Sequence, residues 1–247
     1  MNVGMLKDKF ISLKILLLFL VSLKGFTQKN IENQHLLWVR YNLKLKISET
    51  YQIQQELEER TYWYPWRQHQ IVARTHVLRS FGNDWKAGVA FTYSEQSLPN
   101  NPNIKSSENV GELRPQIEIY NRQALMLKLD LEHRFWTEFR FFEQSDGAFD
   151  FTNVRMRYRL ELQYKVDKKV SLKVFDEIHL NIGNKITYNV FDQNRYGGSI
   201  QYMPIKDLGV ELGYLNWFQQ RQSGVDFYNR NIVRFTIHQN INFKAKV

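Results

Sequence analysis

From Val154 to Lys165 the chain alternates without a break. Val154, Met156, Tyr158, Leu160, Leu162 and Tyr164 are apolar, and the residues between them (Arg155, Arg157, Arg159, Glu161, Gln163 and Lys165) are charged or polar. Successive side chains of an extended backbone point to opposite sides, so this period of two describes a strand with one apolar and one charged face. A helix would scatter the same residues over every side. Asp167-Lys168-Lys169 then supplies a tight polar turn, and Val170, Leu172 and Val174 resume the pattern on a second strand. Few folds accept a chain written this way, and almost all of the remaining sequence repeats the unit.

Before this hairpin, strands are expected over Leu36 to Ile47, Tyr51 to Tyr62 and His69 to Ser80, then from Trp85 through Tyr93. Two more follow around Leu113 to Ile119 and Leu125 to Leu131, separated by an Asn121-Arg122-Gln123 turn. After the hairpin come Arg195 to Tyr202, a turn from Met203 to Asp207, a strand at Val210 to Tyr214, and a last strand from Val233 to Val247. Long polar connections (Ser97 to Val110, Glu143 to Asp150, Gln220 to Asn229) alternate with short ones. That rhythm describes an all-β, antiparallel up-and-down transmembrane β-barrel with short periplasmic turns and longer extracellular loops. About twelve strands are expected, within a range of ten to twelve. Eleven are visible directly, and Gln28 to His35 is the candidate for the twelfth, because bacterial barrels use even numbers.

The chain has 247 residues and is expected to hold one barrel domain over residues 28–247. Residues 1–27 read as a cleaved export signal: Lys7, Lys9 and Lys14 precede a short apolar run from Ile15 to Leu23, with Gly25 and Thr27 small at the cut. No later run is long enough for a membrane helix, so a membrane-embedded chain must close its strands into a barrel. There is no cysteine, which removes disulfides and thiolate metal sites. The formal charge is +9, but its basic residues are spread over nearly every strand. They read as a solvated face rather than a nucleic-acid surface.

Alternation alone leaves open which face is inside, since a soluble lipocalin-like barrel alternates too. Two features decide for an apolar exterior. Tyr51, Trp85, Tyr164 and Tyr202 stand beside short turns in the apolar phase, where an interfacial aromatic girdle belongs. The other phase mixes both charge signs, and such side chains can pair inside a narrow barrel. The expected lumen network comprises Glu56, Glu58, Arg60, Arg114, Glu132 and Arg134, together with Arg155, Arg157, Arg159 and Glu161.

A second network, of Glu177, His179, Asp192 and Arg195, is expected at the extracellular rim. Asp176, Glu177 and His179 do not form a natural metal or acid–base site, because Asp176 lies in the opposite phase. A serine–histidine pair at His133, His179 or His238 would be the signature of a barrel hydrolase, but no serine stands in a nucleophile motif. Neither phosphate loop nor zinc spacing is present, so no cofactor is expected.

Four segments carry a family resemblance: Arg157-Tyr-Arg-Leu160, Phe175-Asp-Glu-Ile-His-Leu-Asn181, Phe191-Asp-Gln-Asn-Arg-Tyr-Gly-Gly198 and Leu212-Gly-Tyr-Leu215. Through them the chain resembles the DUF2490 family, Bacteroidetes-type outer-membrane proteins of unknown function. The resemblance covers most of the mature chain and implies a barrel in the outer membrane with no established activity. Val247 departs from the aromatic final residue usual in such barrels, and Phe243 in the same phase stands in for it. The expected protein is a monomer in contact with outer-membrane lipids and inserted by the barrel-assembly machinery. Its role is structural, or that of a narrow pore with a salt-bridged lumen, and not enzymatic. An outer-membrane enzyme acting on envelope lipids and a soluble periplasmic lipocalin-like binding barrel are the alternatives.

Overall fold

The alternating segments become eleven strands, antiparallel in chain order but parallel where the last meets the first, that close on themselves in a computed structural model, which describes residues 29–105 and 108–243. The expected export signal and the closing Val247 lie outside the described residues. The strands are β1 (Asn30–Lys46), β2 (Tyr51–Tyr62), β3 (Arg67–Gly82), β4 (Trp85–Leu98), β5 (Glu108–Met126) and β6 (Leu129–Glu143). They continue as β7 (Phe149–Lys165), β8 (Val170–Ile182), β9 (Phe191–Ile205), β10 (Leu208–Gln220) and β11 (Asp226–Asn242). Each strand pairs with its neighbours in chain order, and β1 meets β11 to complete the wall.

The expectation of about twelve strands resolves to eleven. Residues from Asn30 to His35 do not form a strand of their own but the first part of β1. An odd count has a geometric consequence: in an up-and-down barrel the first and last strands then run the same way. Three side-chain contacts across the seam agree. Asn229 Nδ2 donates to Asn33 Oδ1 (2.8 Å), Arg230 Nε donates to Gln34 Oε1 (2.7 Å), and Asn42 Nδ2 meets His238 Nδ1 (3.2 Å), all between residues 196 apart. A constant difference in residue number marks parallel neighbours, whereas antiparallel ones keep a constant sum. The seam is therefore parallel, and the β1 start and β11 end lie at opposite rims.

Pairing register moves one expected turn. Asn121-Arg122-Gln123 reads as a turn, yet Asn121 pairs with His133 and Ala124 with Asp130, so β5 continues to Met126 and the chain reverses at Leu127-Lys128. The polar triplet belongs to the strand: Arg122 Nη2 donates to Glu132 at 2.7 Å. The β7–β8 turn stands where the sequence puts it. The Asp167 carboxylate there accepts the amides of Lys169 (2.7 Å) and Val170 (2.8 Å), which hold its carboxyl below the usual range.

The apolar phase points outward. Val39, Leu57, Val77, Val89, Ile117 and Leu212 are all exposed, as are Tyr51, Trp85, Tyr164 and Tyr202 near the short turns. The charged phase points inward and is buried along most of its height, opening toward the short-turn rim at Arg122 and Lys165. This is the arrangement of a transmembrane barrel and the inverse of a lipocalin-like one. Strands of 12 to 19 residues exceed the roughly 9–11 needed to cross hydrocarbon at a tilt.

Glycine is demanded where strands and rings crowd the lumen. A Cβ on Gly197 of β9 would lie 2.3 Å from the Tyr214 carbonyl oxygen and 2.7 Å from the Leu215 Cα, both backbone atoms of β10 that cannot swing away. Gly197→Ala is therefore expected to separate β9 from β10 locally. The check is the fraction of refolded protein that migrates as a compact band without boiling, which should fall clearly below that of the parent; an unchanged fraction would show that the wall yields there.

Candidate functional site

All ten charged residues expected in the lumen lie on inward faces, and the fold groups them by height. Toward the short turns, Arg122 pairs with Glu132 (2.7 Å), and Arg159 pairs with Glu161. At mid-height, Arg155 Nε donates to Glu138 Oε2 (2.5 Å) and Arg157 Nη1 to Glu138 Oε1 (2.7 Å). Glu177 Oε1 accepts Arg157 Nη2 (2.6 Å) and Arg134 Nη2 (2.7 Å). On the β1–β3 side, Arg40 and Arg60 converge on Glu58 at 2.6 and 2.5 Å, while Arg74 Nη1 donates to Glu56 at 2.9 Å. Arg114 meets Glu112 at 3.5 Å, and Arg140 Nε donates to the same carboxylate at 2.5 Å.

Arginine outnumbers any other cation here because its planar fork bridges two carboxylates at once, as Arg157 does. An indole sits among these forks. Trp136 carries the guanidinium carbons of Arg134, Arg157 and Arg74 at 4.0, 4.4 and 4.9 Å from its ring centre. Its Nε1 donates to the Tyr120 hydroxyl (3.0 Å), which donates to Glu118 (3.1 Å). The result is a mid-lumen section packed with side chains, among them Glu118, Glu138, His179 and Thr92, with essentially no exposed surface. Ion pairs so buried contribute little net stability, since desolvation offsets attraction, but they fill the space and fix which groups meet.

The four residues expected as one rim network separate. Glu177 and His179 belong to the buried mid-section, with His179 Nε2 3.4 Å from Glu177. Asp192 accepts Arg155 Nη1 (3.2 Å) and Gln193 Nε2 (2.8 Å). Arg195 does not pair with Asp192; its guanidinium donates to Gln193 Oε1 at 3.0 Å and lies over the Trp217 ring. The reason is register: Glu177 faces Arg195 across β8–β9, but the nearer Arg157 and Arg134 occupy that carboxylate. Asp176 accepts Asn194 Nδ2 at 2.6 Å in the opposite phase. Among the described residues no group of three His, Asp or Glu side chains is arranged to hold a metal ion.

The three histidines weighed as general bases have other partners. His133 Nδ1 meets the Tyr158 hydroxyl (2.9 Å), His179 Nδ1 meets Gln193 Nε2 (3.0 Å), and His238 lies between Asn42 (3.2 Å) and Glu211 (3.2 Å). No serine is among these partners.

A second lumen feature was not expected. Leu36, Trp38, Tyr62, Phe175, Leu215, Trp217 and Ile232 form an inward apolar cluster beside the seam. Trp38 and Trp217 meet edge to face, 5.9 Å between ring centres. The available signal was local loss of alternation: in Leu36-Leu37-Trp38-Val39 both phases are apolar. A β-bulge at Arg60/Thr61 turns His69 inward beside Tyr62, 5.1 Å between rings. Above the ionic mid-section a cavity of about 1000 Å³ opens among the long loops. Arg60, Arg114, Arg155, Arg195 and Trp217 are among the residues lining it.

A search of the curated proteins gives no match. Among solved structures, one titled "NanC porin structure in rhombohedral crystal form" is similar at 10% sequence identity and a TM-score of 0.49, over 82% of this chain and 96% of that one. The family model for DUF2490, described as a protein of unknown function, matches residues 36–229, from the first inward leucine of β1 into β11. By that match the chain belongs to the DUF2490 family.

Proposed function

We propose that the protein is a monomeric outer-membrane barrel with a closed or very narrow lumen, exported by a cleaved segment over residues 1–27 and inserted by the barrel-assembly machinery. Short turns face the periplasm and long loops face outside. Its role is that of a structural or narrow-pore element rather than an enzyme. The observation that carries this reading is the pairing of two surfaces: a predominantly apolar exterior, broken by a few polar side chains such as Asp176 and Asn194, and an interior whose charges neutralise one another at mid-height. Apolar side chains on the outside of a closed wall are stable against lipid and costly against water. Forks bridging Glu138 and Glu177 fill the mid-section between the two rims.

The test is membrane fractionation with gel mobility before and after boiling, followed by planar-bilayer recording. Outer-membrane recovery, faster migration of the unboiled form and little steady conductance are expected. A soluble protein with one mobility would overturn the membrane reading. Steady, large conductance would overturn the closed lumen alone.

A further inference from the structure

Charge balance changes with height in the lumen. At mid-height Glu56, Glu58, Glu138 and Glu177 each hold arginines, and Glu118 meets His76 and Tyr120. Toward the long loops the balance fails: of seven Lys or Arg residues lining the cavity, Arg60 and Arg155 are held by Glu58 and Glu138 outside it, and the other five stand against three carboxylates. The Trp217 ring makes the imbalance concrete. Arg195 lies 4.4 Å over it and Arg230 4.3 Å, and among the described residues neither has a carboxylate within ion-pair distance. Both rely on glutamine oxygens: Gln193 for Arg195, and Gln34 (2.7 Å) and Gln219 (2.6 Å) for Arg230. Arg114 lines the same cavity; its pairing with Glu112 is long (3.5 Å), and its Nε has no hydrogen-bond partner.

Guanidiniums held near an indole without counter-ions are costly in a poorly hydrated interior. The cost falls when an anion arrives, and this is the part of the lumen with room for one. Arginine forks match the paired oxygens of a carboxylate or phosphate, while Trp217 contributes apolar surface to the same cavity.

We propose that the cavity at the long-loop end is a binding site for a small soluble anion bearing a carboxylate or phosphate group, held by Arg195 and Arg114 beside Trp217. The proposal rests on the barrel reading above and names what its outer half receives. The arginine ladder Arg155, Arg157 and Arg159 is not the site, because Glu138, Glu177 and Glu161 already neutralise it. A phosphate could also come on a lipid headgroup. The cavity lies inside an unbroken wall, and the proposal commits to a free solute.

The experiment is calorimetric titration of the full barrel, folded in detergent at low salt, with inorganic phosphate, benzoate, short-chain phosphatidic acid and, as a cationic control, choline. Fold is checked for every variant by its mobility shift. Saturable binding of phosphate or benzoate but not of choline is expected. Arg195→Gln should weaken it roughly tenfold or more, the effect of losing one charge-assisted contact. Arg122→Gln, at the opposite rim, should leave it unchanged. No saturable anion binding by a protein that shifts on the gel overturns the site and leaves the barrel intact; loss of the shift in the parent protein overturns the barrel itself. Equal weakening by both variants would mean diffuse charge attraction and overturns the site. So would binding of short-chain phosphatidic acid with none of inorganic phosphate or benzoate.

Discussion

Glu138→Ala is expected to lower the free energy of unfolding by about 3–5 kcal/mol, the usual result of removing one partner from a buried ion pair. Glu138 is fully buried and holds two guanidiniums, Arg155 at 2.5 Å and Arg157 at 2.7 Å. Alanine would leave Arg155 with Asp192 at 3.2 Å and Arg157 with Glu177 at 2.6 Å, each short of one counter-charge. The loss measures an uncompensated charge, not the net worth of the pair. Two comparisons separate these. Glu138→Gln keeps the shape and an acceptor oxygen, so it should fall between parent and alanine variant. Glu132→Ala removes a carboxylate whose partner Arg122 is half exposed, and should cost no more than about 1 kcal/mol. Urea titration in lipid vesicles, followed by tryptophan fluorescence, reads all three. Equal losses at positions 138 and 132 would mean that water reaches the mid-lumen freely, and the packed section described above would have to be abandoned.

The second large effect lies on the outer wall. Val89 stands on β4 four residues past Trp85 of the aromatic girdle, between Val77 and Ile117 on the flanking strands, with 58% of its surface exposed. Against water, an arginine at so open a site would change stability by only about 0.5 kcal/mol. Against hydrocarbon it should cost about 2–4 kcal/mol, as arginine does near the midplane of a membrane barrel. Val89→Arg therefore asks which solvent the apolar face meets, independently of fractionation. Unfolding measured in vesicles should show the larger loss. A loss within the smaller figure would place water on that face and contradict the outer-membrane proposal.

How much of this was legible beforehand differs between the wall and its contents. Alternation in segments such as Val154–Lys165 fixes which side chains share a face, because that is a local property of an extended backbone. Mixed charges on the other phase then decide that this face is enclosed, since those groups could neutralise one another only there. Strand existence and the alternation of short and long connections were therefore readable. Pairing partners were not. Glu177 was placed with Asp192 and Arg195, yet Arg157 and Arg134 from β7 and β6 take it, a choice made by the heights at which separate strands come into register.

The seam is the clearest division between the two levels. Nothing local in β1 or β11 records that they will lie side by side, and their contacts join residues 196 apart. Closure depends on how many strands the wall needs and how they tilt, quantities that belong to the whole sheet. Only after closure do Trp38 and Trp217 meet, and only then do Arg195 and Arg230 flank one ring without a carboxylate between them. The sequence by itself determined a two-faced strand repeated around a barrel and the residues on each face. The tertiary structure decided which charges are satisfied and where one sign is left over, because electrostatic balance is settled between strands and not along them.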